Sequence, residues 1–469
     1  MTRPAVISPR VGIVVLGTRG DVEPHVALAQ RLTDLGAHPV IVGFADEGRS
    51  VAEQGIEYRA IPVRLQDVLG TADGQTFLTT GNPIRLLKAQ RDLVAQTPPE
   101  LVERITESVA DCQALVAGGP TSAPALFSAE ALGIGSVMTM LQPMYPSDHL
   151  APFIVARGDA GPANRMLWSG MLRAQWILQH ELIEDWRRSS GLAPFGSFAG
   201  FRTYVLGQQV VGAWSPTLLP APSDWPKTVR LTGRMVVRPE TRALTSDPGA
   251  KRGEARGEAR GTARTEAGTE AQSGARNAGP RSGAFLDPQI EEFLADGPPP
   301  VYAGLGSMVV ADPRAVTRMI TEAVRATGCR LILGRGWSGL GEATGAEAVA
   351  LGDDVLVVGP TSHAALFPRC QAVIHHAGAG TTQTTAAAGV PAVPLPFGMD
   401  QPFWANLVYR RGIAGRPVPI RRWSTDRIAA SLQQALEPTR VRQAERVGLQ
   451  MASEPDGAFL TAEQVMRLI

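Results

Sequence analysis

The chain is short of cysteine, of long apolar runs and of net charge, and each scarcity removes a class of protein. Three cysteines in 469 residues, Cys112, Cys329 and Cys370, are too few and too scattered for a disulfide framework or a zinc site. They fit a reducing compartment, so a cytoplasmic location without a metal is expected. A formal charge of +1 gives no global pull toward nucleic acid or an acidic membrane. No run of about 18 apolar residues occurs, so no membrane span is expected. The first apolar stretch, Val11 to Leu16, is too short for a signal peptide and runs straight into Arg19 and Asp21. It reads as a buried strand.

What is present is ordinary globular composition, 44% hydrophobic and 19% charged, in a chain long enough for two or three domains. Strand and helix signals alternate. Val11 to Leu16, Pro39 to Gly43, Ala114 to Ala117 and Gly135 to Met140 read as buried strands, with a helix from Pro24 to Leu35 that Gly36 ends. A second alternation runs through strands at Pro300 to Leu305, Arg330 to Leu333, Val355 to Val358, Ala372 to Ile374 and Pro391 to Pro396, with a helix from Pro313 to Thr327. Two doubly wound parallel sheets are expected, with ligands at the carboxyl ends of the strands. Residues 245–284 hold no Val, Ile, Leu, Met or aromatic residue. They cannot offset an ordering entropy of roughly 1–2 kcal/mol per residue, and they read as a disordered insertion. The division expected is 1–220, 221–244 as the passage into the second domain, the insertion, and 285–469, with room for the last helix to pack back on the first domain.

The densest motif is Ala372-Val-Ile-His-His-Ala-Gly-Ala-Gly-Thr-Thr382. A buried strand enters a turn with Gly378 and Gly380, and Thr381 lies where a helix starts. Glycines let backbone approach a ligand, and free amides at a helix N-terminus suit a diphosphate. A neighbouring histidine can donate to a phosphate oxygen. Asp400-Gln401 follows the next strand and offers acceptors and donors for vicinal hydroxyls.

Together with Ala388-Gly-Val-Pro391 and Pro396-Phe-Gly-Met-Asp-Gln-Pro-Phe-Trp404, this motif closely resembles the donor signature of nucleotide-sugar glycosyltransferases of the GT-B fold. The branch it resembles holds sterol glucosyltransferases, rhamnosyltransferases and actinomycete antibiotic glycosyltransferases. Gly17-Thr-Arg-Gly-Asp-Val-Glu-Pro24, Pro222-Ser-Asp-Trp-Pro226, Gly304-Leu-Gly-Ser-Met308, Gly336-Trp337 and His363-Ala-Ala-Leu-Phe-Pro368 agree in order. The likeness is weaker between about residues 65 and 210.

The resemblance implies an α/β protein of two Rossmann-like domains facing across a cleft, the first for the acceptor and the second for the donor. His376, Gly378, Gly380, Thr381 and Ser307 would hold the diphosphate, Asp400 and Gln401 the sugar, and Ser362, His363 and Trp337 the nucleobase. Ala377 stands where many members carry glycine, a change read as having little consequence. Asp21 would be the general base of an inverting transfer; its alternative role is a helix N-cap. His25 is the rival base, and with Tyr145 and Asp148 it completes the acceptor-side candidates. Asp353-Asp354 lacks the spacing of a metal-bound diphosphate site. Trp168, Met171 and Trp176 read as core. No cofactor is expected beyond a UDP- or dTDP-sugar co-substrate, and the expected partner is a lipophilic acceptor, a natural product or else a sterol or lipid. A nucleotide-sugar epimerase or hydrolase, and a non-catalytic nucleotide-sugar binding protein, remain as alternatives. A dinucleotide oxidoreductase fits poorly, because the turn at Gly17 lacks G-x-G-x-x-G spacing and carries an acid.

Overall fold

The structure, a computed structural model, describes residues 8–64, 71, 88, 92, 100–119, 122–154, 159–238, 286–342 and 351–469. The low-complexity stretch 245–284 lies outside these residues. Among them, twelve strands form two parallel sheets. The first holds β1 (Arg10–Val15), β2 (His38–Phe44), β3 (Glu57–Ile61), β4 (Ala114–Gly118), β5 (Gly135–Met140), β6 (Val210–Gly212) and β7 (Val229–Leu231), in the order β3-β2-β1-β4-β5-β6-β7. The second holds β8 (Val301–Gly304), β9 (Leu331–Gly334), β10 (Val355–Val358), β11 (Ala372–His375) and β12 (Ala392–Pro394), in the order β10-β9-β8-β11-β12. Strands such as Val11–Val15 and Ala372–His375 are buried on both faces, which is why they read as unbroken apolar runs. The strand order reverses between β1 and β4, and again between β8 and β11. In sheets of this kind ligands bind at the carboxyl side of such reversals.

The first sheet runs further than the expected boundary at residue 220. β7 pairs in register with β6, Val210 opposite Val229 and Gly212 opposite Leu231. Three residues, of which only Val229 is buried, give too short a pattern to be legible as a strand. The first helix, α1 (Arg19–Asp34), also starts earlier than expected. Proline is favoured in a first turn, so Pro24 suggests a start there. The helix starts five residues earlier, at Arg19 with Thr18 as its cap, and Pro24 sits inside it.

Four further helices shape the cleft: α2 (Asn164–Ser189), α3 (Ala379–Ala387), α4 (Gln401–Arg410) and α5 (Gly457–Met466). Trp168 and Met171 of α2 are buried, and Trp176 stacks on Phe201 at 5.3 Å between ring centroids. Phe403 and Trp404 of α4 lie in one apolar cluster with Met140, Tyr145, Phe153 and Trp214 of the first domain. Ser215 N–H donates to Gln383 Oε1 of α3 at 2.8 Å, and Thr217 N–H donates to Glu454 Oε1 at 3.0 Å. The last helix, α5, crosses back. Its Ala458, Ala462 and Val465 join the core of β1 and α1, and Arg31 Nε donates to Asp456 Oδ2 at 2.6 Å. No helix of the described residues is long and apolar enough to cross a membrane.

This return depends on a glycine. A Cβ on Gly457 would lie 2.3 Å from the backbone of Gly233. Gly457→Ala should therefore lower stability by about 1–3 kcal/mol, the usual cost of overpacking. Gly170→Ala, where a Cβ on α2 meets nothing within 4 Å, should be neutral or stabilise by up to about 1 kcal/mol. Urea unfolding midpoints measure both, and a parent-like midpoint for Gly457→Ala would show that the close approach is not needed.

Candidate active site

β11 ends at His375, which is fully buried. Its Nδ1 accepts the Ala377 N–H at 3.0 Å, so a neutral ring carries its proton on Nε2. Burial, reinforced by His376 and His363, pushes its pKa down to about 3. His376 stands next to it. A Cβ on Gly378 would lie 2.4 Å from His376 Nε2, and one on Gly306 would lie 3.0 Å from its Cε1. Two glycines from two loops thus make room for one imidazole. Burial lowers its pKa to about 4, and its Nδ1 is buried with no hydrogen-bond partner among the described residues. Gly378 is the N-cap of α3, so Gly380 and Thr381 fall in the first turn, where amides point outward. The start of α3 and the His376 ring are therefore neighbours.

Ala377 is more than a quiet substitute for glycine. It is fully buried with φ +66°, in the left-handed region that costs a side-chain-bearing residue roughly 1–2 kcal/mol. Met399 has φ +57°, and these two are the non-glycine residues at positive φ among those described. Both flank the candidate site, one beside His376 and the other beside Asp400.

The loop after β8 brings Gly306 against His376, with Ser307 next along the chain. Trp337 N–H donates to Gly306 O at 3.0 Å, so the loops after β8 and β9 are tied together, and Trp337 is partly buried against the second domain's core. Ser362 caps the short helix His363–Leu366 and accepts from Ala365 N–H at 3.4 Å. His363 stacks on Phe367, 4.5 Å between centroids, and its Nε2 is hydrogen-bonded to the Tyr302 hydroxyl at 3.1 Å. Both polar side chains offered for the nucleobase are thus already engaged within the protein.

Asp400 and Gln401 open α4. Asp400 Oδ2 accepts from the indole N–H of Trp404 one turn later, at 3.1 Å. Burial and the charge of Asp21 push its pKa up to about 7. Gln401 is buried; its Oε1 accepts from Phe397 N–H at 2.9 Å, and its Nε2 faces Met308 Sδ at 3.2 Å. Both side chains are thus held within the second domain, Asp400 by Trp404 and Gln401 by the Phe397 amide.

Asp21 sits at the third position of α1, not at the N-cap. Its Oδ2 accepts from Thr18 N–H at 2.9 Å and from the Thr18 hydroxyl at 3.1 Å. Gly17 is needed beside it, because a Cβ there would lie 2.4 Å from that oxygen. Burial raises the Asp21 pKa and the Thr18 bonds partly oppose this. His25 is removed from the acceptor side. It is fully buried, Nδ1 donates to Asp21 O at 2.6 Å and Nε2 meets Thr139 Oγ1 at 2.6 Å, which leaves no free nitrogen to act as a base. Tyr145 is also structural: it is buried against Trp225, and its hydroxyl donates to Leu206 O at 3.0 Å. Asp148 forms an exposed ion pair with Arg165, Nε to Oδ1 at 2.6 Å. Asp354 likewise pairs with Arg325.

Residues 11–139 match the N-terminal domain of glycosyltransferase family 28, and residues 339–466 match the erythromycin biosynthesis protein CIII-like C-terminal domain. O-mycaminosyltylonolide 6-deoxyallosyltransferase of Streptomyces fradiae is 31% identical over 465 residues, covering 95% of this chain and 94% of that protein. The chain belongs to this family of glycosyltransferases. Sterol 3-beta-glucosyltransferase UGT80B1 of Arabidopsis thaliana is 29% identical over 92% of the chain, which spans 63% of that relative's length. Glycosyltransferase VinC, solved in complex with dTDP, shares 18% identity with a TM-score of 0.60, covering 98% of this chain and 99% of that one. That likeness concerns the fold, and it makes the two sheets the two halves of a GT-B glycosyltransferase.

In this glycosyltransferase, two supports of the site were missed at the level of sequence. Thr18 holds Asp21, and the Thr-x-x-Asp spacing of a capping box was the available signal. Trp404 holds Asp400 from the next turn, a spacing of four that any helix brings together.

Gly378→Ala should displace His376, and it should weaken binding of a nucleoside diphosphate at least tenfold by calorimetry while the fold persists. Unchanged affinity would remove His376 from the cradle. Asp400 also gives a stability test with a definite sign. Its unfolded pKa is near 4 and its folded pKa about 7, so folding favours the protonated carboxyl. That contribution is full below about pH 4 and is lost as pH rises through about 7. Asp400→Asn should therefore raise the melting temperature at about pH 8 and change it little at about pH 4. Equal shifts at both would show that the carboxyl is not raised.

Proposed function

We propose that the enzyme transfers a sugar, with inversion, from a UDP- or dTDP-sugar to a hydroxyl of a lipophilic acceptor. The observation that carries this reading is the pairing of Asp21 with Asp400. They stand at the carboxyl edges of different sheets, and each domain contributes one. Even so, the charge of Asp21 is felt at Asp400. Helix α1 touches α3, and α3 touches α4, which supports a reading in which a base from the first domain and a sugar clamp from the second serve one crevice.

In the proposed reaction the acceptor oxygen attacks the anomeric carbon, and the bond from that carbon to the diphosphate oxygen breaks. The acceptor proton passes to Asp21, and the nucleoside diphosphate leaves with the bonding electrons. The raised pKa of Asp21 makes it a stronger base than an exposed aspartate. The amides at the start of α3 and the His376 ring support the leaving group's charge.

The acceptor proposed is a natural-product aglycone ahead of a sterol. Support comes from length: the chain spans 94% of a relative named for O-mycaminosyltylonolide, but 63% of one named for sterols. Both acceptor classes belong in the assay, with UDP- and dTDP-sugars as donors. Asp21→Asn should reduce transfer by about 10²–10⁴-fold, the range for general-base catalysis. Its nucleotide binding, followed by thermal shift, should remain at the parent level. Undiminished transfer would remove Asp21 as the base, and donor turnover without any acceptor would favour a hydrolase or epimerase instead.

A further inference from the structure

We infer that Arg19, on the first domain, is a donor-binding residue that places its guanidinium on the diphosphate held by the second domain. This deepens the donor reading above and rests on it. A diphosphate leaving group carries at least two negative charges, and more charge gathers on it as the glycosidic bond breaks. The second domain's cradle answers mainly with dipoles. His375, His376 and His363 are held neutral by burial at ordinary pH. The amides of α3 carry only partial charge, and the neighbouring Asp400 and Asp21 are acidic. None of the second-domain groups named for the cradle carries a full positive charge.

Arg19 is placed to provide it. It is the first residue of α1, two positions before Asp21. The ion pair it makes is loose: Arg19 Nε lies 3.7 Å from Glu23 Oε2, and both side chains are about half exposed. Such a pair holds a side chain weakly. The other domain is close by. Ala379, the first residue of α3, packs against the first-domain core that contains Val22 and Val26 of α1. Helices α1 and α3 are also in direct contact. Accordingly, the charge of Arg19 is felt at His363 and Tyr302, both in the second domain. A guanidinium forks onto two phosphate oxygens in a way an ammonium cannot.

Calorimetry with UDP, dTDP, uridine and thymidine on the full-length enzyme tests this. Arg19→Gln should weaken both diphosphates by roughly 10–100-fold, the range for one charge-assisted hydrogen bond, and leave the nucleosides unchanged. Arg19→Lys should recover part of the loss. Glu23→Gln, which loosens the same ion pair but keeps the cation, should bind at the parent level. Parent-like diphosphate affinity in Arg19→Gln would overturn the assignment, as would a Glu23→Gln variant that reproduces the loss. If the parent enzyme bound neither diphosphate better than its nucleoside, the donor reading itself would fall, a result distinct from either of these.

Discussion

The seam between the two domains governs the rest of the structure, and the Trp404 indole is its pivot. The ring is fully buried in a cluster that is otherwise largely first-domain, yet its N–H donates to Asp400 on the cleft side. One side chain thus converts apolar burial between domains into the position of a carboxylate at the site. Leu218 extends the seam among Ala386, Val408 and Val447 of the second domain, and Gln383 ties α3 to Ser215. Helix α5 adds a third strap across α1. The candidate site therefore forms where the two chain halves meet, and neither half holds all of it.

Water exclusion at that meeting place sets the electrostatics. The same burial acts in opposite directions on different groups, because it disfavours whichever form is charged. It lowers His375, His376 and His363 and raises Asp21 and Asp400. Uncharged imidazoles thus stand beside carboxylates that resist ionisation. Stability is spent there as well: Ala377 and Met399 hold left-handed backbone next to the two elements that would grip the donor. Strain of this kind persists when surrounding packing fixes it, and it gathers at functional sites. Here the packing is visible, since Ala377 is fully buried and its N–H is held by His375.

The doubly wound halves were legible because buried parallel strands are continuous apolar runs, and eleven-residue motifs such as Ala372 to Thr382 place a turn where glycine and histidine coincide. Where patterns were short they failed, as at β7, which extends the first sheet past residue 220. Single polar residues were also poorly legible. His25, Tyr145 and Asp148 carry the right chemistry for an acceptor pocket, yet each is occupied by a partner distant in sequence, Thr139, Leu206 and Arg165 respectively.

The sequence by itself determined two α/β halves, the glycine turn before α3, and the carboxylates Asp21 and Asp400 as the residues to watch. Local pattern suffices for these, because helix caps, tight turns and buried strands are written in neighbouring residues. Only the tertiary structure decided that α1 meets α3 across the two halves, that the charge of Asp21 reaches Asp400, and that His25 is sealed inside the first domain. Those facts depend on which surfaces are removed from water together. Packing brings such surfaces together across hundreds of residues, and no short-range pattern records it.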